Sequence, residues 1–175
     1  MRVHLLLLSW IVYAFISLDV FAQNKSVQQS FFGIMLGETR SKVELTMSAK
    51  KYNLIKQVSN NTVSYYANVY FAGNKWDVIF NYMKDGRLYC VSFIHTETMP
   101  ENRKAFNQVL LDRLVNKYGL PSCYEDDKDW IFEWSDSITE VSVSYSNTIF
   151  SYYTMLSYRD IQLFNSKHAC DELEL

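Results

Sequence analysis

Three consecutive segments rich in aromatic and β-branched residues lie between residues 63 and 95. Gly73-Asn74 separates the first segment from the second, and Asp85-Gly86 separates the second from the third. Both dipeptides tolerate the positive φ angles of tight hairpin turns, and aromatic and β-branched residues favour strands. The pattern therefore predicts a three-strand antiparallel meander, so any fold of this chain has to contain an antiparallel sheet.

Each predicted strand has two faces, because side chains alternate along a strand. Aromatic and aliphatic residues dominate one face, which we expect to be the core: Val63, Tyr65, Ala67, Val69, Phe71, Trp76, Val78, Phe80, Tyr82, Tyr89, Val91 and Phe93. The opposite face is mixed and consists of Ser64, Tyr66, Asn68, Tyr70, Asp77, Ile79, Asn81, Cys90 and Ser92. A slip of one residue would invert this assignment.

Two helices are predicted to cover the core face. The longer helix begins near Pro100, and its apolar positions follow the helical period until Gly119 and Pro121 end it. A shorter helix is expected over residues 40–52, with the hydroxyl of Thr39 as its cap. Helices on one side would leave the other face of the sheet open.

The remaining segments complete the predicted fold. Residues 54–58 are expected to form a short strand, 122–128 an acidic loop, and 130–134, 139–146 and 149–158 three further strands. The chain then contains a helix plus three strands twice, with halves at 31–96 and 97–160 and a tail at 161–175. This organisation predicts an α+β fold, an antiparallel sheet with two helices packed on one face.

The first 22 residues have the composition of a secretory signal. Arg2 supplies a positive start, residues 5–16 are almost wholly apolar, and Val20 and Ala22 occupy the −3 and −1 positions of a cleavage site. We expect cleavage after Ala22, with a retained anchor as the alternative. The mature protein, residues 23–175, would be a single domain without a membrane span, located in the periplasm or secreted.

The charge balance argues against nucleic acid as a partner. The chain has 17 Lys and Arg residues against 19 Asp and Glu residues, a formal net charge of −2. Its densest basic clusters are the pairs Lys50-Lys51 and Arg103-Lys104. Binding to phosphates requires a more concentrated basic surface than these pairs supply.

One short motif resembles a known group of proteins. Residues 34–39, Ile-Met-Leu-Gly-Glu-Thr, with Val43 four residues on, resemble the Gly-x-Thr/Ser-x-x-x-Val helix entry of the SmpA/OmlA (BamE-type) outer-membrane assembly proteins. They also resemble the β-lactamase-inhibitor-protein-like fold, which repeats a helix-and-strands unit twice. The chain departs from the assembly lipoproteins because no Cys stands directly after its predicted signal, where a lipid would be attached. The resemblance implies a small secreted bacterial protein with a protein-binding fold.

Few residues suit catalysis or metal binding. The mature chain would contain His95 and His168, and His95 is expected at the core edge of a strand rather than as a catalytic base. Residues 125–129, Glu-Asp-Asp-Lys-Asp, are dense in oxygen ligands that could hold Ca²⁺, but they lack the Gly and the final Glu of an EF-hand loop. A solvated loop is therefore favoured. We assign no catalytic residue, no metal and no cofactor.

The chain contains three Cys, so in an exported protein at least one remains unpaired or pairs with another molecule. Cys123 and Cys170 lie in predicted loops, whereas Cys90 lies within a predicted strand. Loops allow the approach that a disulfide requires, and export provides an oxidising compartment. We predict a disulfide between Cys123 and Cys170 and a reduced Cys90.

The open face of the sheet is the candidate binding site. It carries large side chains among Ser and Asn, and we assign binding to Tyr66, Tyr70, Ile79, Tyr153 and Met155. Rigid aromatic rings give a large contact area at a small entropic cost, although an ordinary solvated sheet face is an open alternative. The sequence favours a module of the cell envelope that binds another exported protein, of inhibitor or immunity type. The alternative is an envelope hydrolase whose site is not recognisable.

Overall fold

The structure is a computed structural model that describes residues 26–58, 62–126 and 129–172. This part of the chain contains three helices, α1 (Arg40–Ala49), α2 (Pro100–Tyr118) and α3 (Ile161–Glu172). It also contains ten strands: β1 (Ser30–Phe31), β2 (Ile34–Met35), β3 (Leu54–Val58), β4 (Val63–Phe71), β5 (Asn74–Tyr82), β6 (Leu88–Glu97), β7 (Ser122–Asp126), β8 (Asp129–Ser135), β9 (Thr139–Asn147) and β10 (Tyr152–Asp160). The predicted α+β class is confirmed.

Eight of the strands form one antiparallel sheet in the order β3-β4-β5-β6-β10-β9-β8-β7. Strands β3 to β6 are one meander and β7 to β10 are a second, so each half is a helix followed by four strands rather than three. The predicted meander is present as β4, β5 and β6. The two halves meet where β6 pairs with β10, from Cys90 opposite Arg159 to Glu97 opposite Tyr152.

The core lies between the sheet and the two helices α1 and α2. Val43 and Met47 of α1 and Leu114 of α2 are buried in the same cluster as the inward residues of the sheet. The β1–β2 hairpin also contributes, because the ring of Phe31 lies 4.5 Å from that of Tyr158, centroid to centroid. Apolar side chains from helices, hairpin and sheet thus exclude water from one face of the sheet.

The helix boundaries follow the sequence signals with two differences. Helix α2 begins at Pro100 and stops before Gly119, which has a φ of 93° and whose N–H donates to the carbonyl of Val115 at 2.8 Å. Glycine adopts this positive φ at little cost, so the predicted stop is confirmed. Helix α1 starts at Arg40 as predicted but ends at Ala49, and the hydroxyl of Thr39 makes no capping hydrogen bond. That hydroxyl lies 3.2 Å from the hydroxyl of Ser41.

Strand β4 changes face at an irregularity between Tyr66 and Val69, where Asn68 has a φ of 58°. Before this bulge Ser64 and Tyr66 are buried in the core, and after it Val69 is buried. The expectation that Tyr65 faces the core and Tyr66 the open side is therefore wrong. The physical reason is that the additional residues in the bulge invert the alternation of side chains.

Two further segments differ from their predictions. Residues 122–128 were expected to form a loop, but β7 pairs with β8 there, with Cys123 opposite Phe132. The tail at 161–175 was expected to lie outside any element, but α3 forms there directly after β10. In β7, pairing with the backbone of β8 therefore decides the structure of an acidic segment that has little strand propensity of its own.

None of the described helices is both long and apolar enough to cross a membrane.

Candidate binding surface

The sheet face opposite α1 and α2, here called the outer face, is easiest to define along β10. Thr154, Leu156 and Tyr158 of this strand are buried toward the core. Because side chains alternate, the residues between them point to the outer face. These residues are Tyr153, Met155, Ser157 and Arg159.

An apolar strip crosses the outer face at its centre. Met155 is 40% exposed and lies directly opposite Ile94 of β6. Ile79 of β5 is diagonal to Ile94, because Ile79 pairs with Ser92. Tyr153 lies two residues from Met155 on the same strand, so these side chains are within reach of one another. We call Ile79, Ile94, Tyr153 and Met155 the outer apolar strip.

The hairpin between β9 and β10 ends in two exposed apolar residues, which we call the hairpin tip. Ile149 is 91% exposed and Phe150 is 82% exposed. The turn that carries them is closed by hydrogen bonds, since the N–H of Thr148 donates to the carbonyl of Ser151 at 2.8 Å and the N–H of Ser151 donates to the hydroxyl of Thr148 at 3.2 Å. The tip is thus held in the solvent by an ordered turn.

The other end of the outer face is polar. The hydroxyls of Ser92 and Ser157 lie 2.9 Å apart, and the sulfur of Cys90 lies 3.6 Å from the hydroxyl of Ser92. Arg159 forms ion pairs with Glu140 and, at 3.7 Å, with Glu133. Burial raises the pKa of the Glu140 carboxyl, against the opposite effect of Arg159. Burial likewise raises the pKa of the Cys90 thiol, so this thiol is a weak nucleophile at neutral pH.

Helix α3 covers this polar end. The ring of Phe164 lies 4.3 Å from the guanidinium carbon of Arg159, and its centroid is 6.3 Å from that of Tyr89. The side chain of Leu163 is buried at the same helix. Helix α3 therefore divides the outer face into a covered polar end and an uncovered apolar end.

The structure brings together some of the predicted binding residues and separates others. Ile79, Tyr153 and Met155 share the outer apolar strip, and Tyr70, 66% exposed, lies on the same face beyond the bulge. Tyr66 does not belong to this surface, because it is 2% exposed and its ring packs edge-on against Phe80 in the core, 5.7 Å between centroids.

Sequence reasoning missed Ile94 and the hairpin tip. Ile94 follows from the same alternation that places Ser92 on the outer face. Ile149 and Phe150 were expected to belong to a strand over residues 149–158, but the strand begins at Tyr152. The dipeptide Asn147-Thr148 before it was the available turn signal.

A polar cleft of about 250 Å³ lies at the edge of the outer face, lined by Asp77 and His95 among others. Both ring nitrogens of His95 are engaged, Nδ1 with the carbonyl of Lys75 at 3.2 Å and Nε2 with Glu97 at 3.1 Å. The ring of His95 stacks on that of Phe106, with centroids 3.9 Å apart. These contacts use His95 to join β6 to β5 and α2, as expected of a core-edge histidine.

The sequence predicts no metal site and one disulfide, between Cys123 and Cys170. The residues that the structure describes contain no group of three or more His, Cys, Asp or Glu side chains placed to hold a metal ion. Cys90 is a free thiol. The side chains of Cys123 and Cys170, and the side chains of the acidic run at 125–129, lie outside the described residues, as do residues 1–22.

Comparisons with known proteins add no relative. No family model, no curated protein and no solved structure matches this chain.

Proposed function

We propose that the protein is an exported protein-binding module of the cell envelope, and that it binds its partner with the hairpin tip and the adjoining outer apolar strip. The observation that carries this proposal is the exposure of Ile149 and Phe150 on an ordered turn. The hairpin holds these large apolar side chains in water. Covering them with a partner removes apolar surface from water, which favours binding.

The energy available from the tip alone is substantial. Complete burial of a side chain such as Phe or Ile is worth roughly 1.5–3 kcal/mol relative to leaving it exposed. The turn is already closed by its own hydrogen bonds, so binding would order little additional backbone. Two such anchors therefore suit the centre of a specific interface.

The outer apolar strip extends this surface. Met155 and Tyr153 lie on the strand that leaves the tip, and Ser144 of β9 lies directly opposite Met155. A small polar neighbour leaves room for a partner's side chain beside the larger apolar ones. A protruding tip in front of such a strip suits insertion into a pocket of the partner, which is the geometry expected of an inhibitor or immunity-type protein.

The location in the envelope rests on the first 22 residues, which have the pattern of a cleaved signal. Intact mass of the protein from its native host tests this part separately. We expect the chain to begin at Gln23, and a mass that still includes Met1 would contradict the export proposal.

The binding proposal is tested with two matched double variants. Ile149→Ser with Phe150→Ser removes the apolar tip, and Leu45→Ser with Leu120→Ser removes two other exposed apolar side chains far from it. A partner is captured from envelope extract on the unaltered protein, and its affinity for each variant is measured by surface plasmon resonance. We expect the tip variant to bind at least about tenfold more weakly, with an unchanged melting temperature.

The control variant should retain the affinity of the unaltered protein. If both double variants lose the same affinity, or if the tip variant binds as well as the unaltered protein, the tip is not the binding site and the proposal fails.

A further inference from the structure

A second cleft lies on the opposite side of the sheet, between α2 and the turn that joins β4 to β5. Its volume is about 420 Å³, within the range of sites that hold small organic ligands. One wall is the strip of α2 that runs from Ala105 to Lys117. The other residues that line it come from the sheet and the N-terminal segment: Gln28, Phe71, Ala72, Asn74, Trp76, Leu156 and Tyr158.

The lining is mostly apolar. Trp76 and Leu156 are buried at the floor of the cleft, and the rings of Trp76 and Phe106 pack edge-on with centroids 5.4 Å apart. Val109 of α2 lies at the side and is exposed to solvent. An apolar molecule entering this space would remove aromatic and aliphatic surface from water.

The charged residues that line the cleft are both cations, Arg113 and Lys117, one helical turn apart on α2. Arg113 donates from Nη1 to the carbonyl of Ala72 at 3.2 Å, and Lys117 donates from Nζ to the side-chain oxygen of Gln28 at 2.7 Å. Arg113 thus reaches from α2 to the turn between β4 and β5, and Lys117 reaches from α2 to the N-terminal segment. Both side chains lie across the mouth of the cleft. Each also keeps further N–H groups for another acceptor, since guanidinium has five and ammonium three.

Neither cation pairs with a carboxylate in the described part of the chain. Their hydrogen bonds go to neutral oxygens, and the ammonium of Lys117 also lies 4.9 Å from the centroid of the Tyr118 ring. Like charges four residues apart on a helix repel each other. An anion placed between Arg113 and Lys117 would relieve that repulsion and accept charge-assisted hydrogen bonds from both. The mouth of the cleft is therefore complementary to a negative group, and its floor to an apolar one.

We propose that this cleft binds a small amphipathic carboxylate, a single apolar chain or ring system with one acidic group. The acidic group would lie between Arg113 and Lys117, and the apolar body would lie against Trp76 and Phe106. This site is separated from the outer apolar strip by the thickness of the sheet, and the hairpin tip residues Ile149 and Phe150 do not line it. The proposal therefore does not depend on the protein-binding function.

Decanoate is the probe, used below its micelle concentration, with decyltrimethylammonium and decanol as controls of the same chain length. The readout is the indole N–H of Trp76 in a nitrogen-15-labelled sample, a group that donates to the carbonyl of Phe71 at 3.0 Å and lies in the lining. We expect a saturable shift of this signal with decanoate, at an affinity at least about tenfold higher than with either control.

Two variants locate the acidic group. Arg113→Gln with Lys117→Gln should weaken decanoate binding about tenfold and should remove the preference for the anion. Lys50→Gln with Lys104→Gln changes the net charge by the same amount at exposed positions outside the cleft, and should leave the affinity unchanged. Val109→Trp fills the cleft from its exposed side and should abolish binding of every probe.

Three results would overturn the proposal. The first is equal affinity for decanoate and decyltrimethylammonium. The second is an equal loss of affinity in the Lys50/Lys104 control. The third is a response of Trp76 to vesicles of anionic phospholipid but not to decanoate, which would assign the cations to a membrane surface instead.

Discussion

The carboxylate of Asp77 holds the phenol of Tyr65 and the backbone of β4 at the same time. The hydroxyl of Tyr65 donates to one carboxylate oxygen at 2.6 Å, and the N–H of Asn68 donates to the other at 3.1 Å. Asn68 is the residue with positive φ in the bulge of β4. One side chain on β5 thus accepts hydrogen bonds from β4 at the point where β4 changes face, and we expect it to stabilise the bulge.

Replacing Asp77 by Ala should therefore destabilise the protein by about 1–3 kcal/mol, because two donors lose a charged acceptor. Asp112→Ala is the matched control, since Asp112 accepts a hydrogen bond from Gln108 on an exposed surface of α2. Denaturant unfolding measures both free energies. A loss of the same size in the two variants would show that the bulge does not depend on Asp77.

Tyr66→Ala and Tyr70→Ala should differ strongly in stability. Tyr66 is fully buried against Phe80, so its removal should cost about 3–5 kcal/mol of unfolding free energy. Tyr70 is mostly exposed, and its removal should cost less than about 0.5 kcal/mol. The unfolding free energies of the two variants check this, and similar values would contradict the placement of the bulge between the two residues.

The protein should lose stability at alkaline pH. Burial raises the pKa of Tyr66 to about 12, and burial together with Asp77 raises the pKa of Tyr65 to about 12. A pKa that is higher in the folded state than in the unfolded state favours the protonated folded form. The contribution of these phenols is complete below the ordinary pKa of about 10 and is lost as the pH rises to about 12.

Denaturant midpoints measured over this alkaline range check the expectation, and Tyr65→Phe removes one of the titrating phenols and should flatten the decline. A midpoint that stays constant up to about pH 12 would contradict it.

A disulfide between Cys123 and Cys170 stays a prediction, although the loop positions from which it was inferred are wrong, since Cys123 lies in β7 and Cys170 in α3. A bridge over a loop of this length is worth on the order of 4 kcal/mol in the entropic account. Cys123→Ser should therefore lower the melting temperature markedly, whereas Cys90→Ser, at a free thiol, should have a small effect. Peptide mapping without reduction identifies the bridge, and a bridge that contains Cys90 would contradict the prediction.

Alternation along the chain was sufficient to predict the faces of β5. Trp76, Val78, Phe80 and Tyr82 are all buried, because the additional residue of the bulge lies in β4 and leaves the alternation of β5 unbroken. The end of α2 was likewise predictable, because Gly119 acts through its own backbone. Features that are decided by the residues of a single strand or a single helix end can therefore be predicted from the sequence.

The faces of β4 were not predictable from β4 alone. Asn68 in its bulge donates a hydrogen bond to Asp77, a residue of the next strand that comes into contact with Asn68 only when the two strands pair. The same limitation applies to β7, whose acidic composition predicts a loop but whose backbone pairs with β8. The candidate binding surface was predicted in part for this reason, with Tyr153 and Met155 placed correctly on the outer face and Tyr66 not.

The pairing of β6 with β10 has a consequence for how the chain reaches its native state. These strands are neighbours at the centre of the sheet, yet α2 and three strands separate them in the sequence. Until residues 152–160 dock, β6 is a free edge whose N–H and C=O groups can pair with another chain. Closing this long-range contact is entropically costly and therefore slow. The edge of β6 stays unpaired until β10 of the second half has docked on it. A truncated chain that ends before residue 152 would keep β6 as an unpaired edge strand, and we expect it to aggregate.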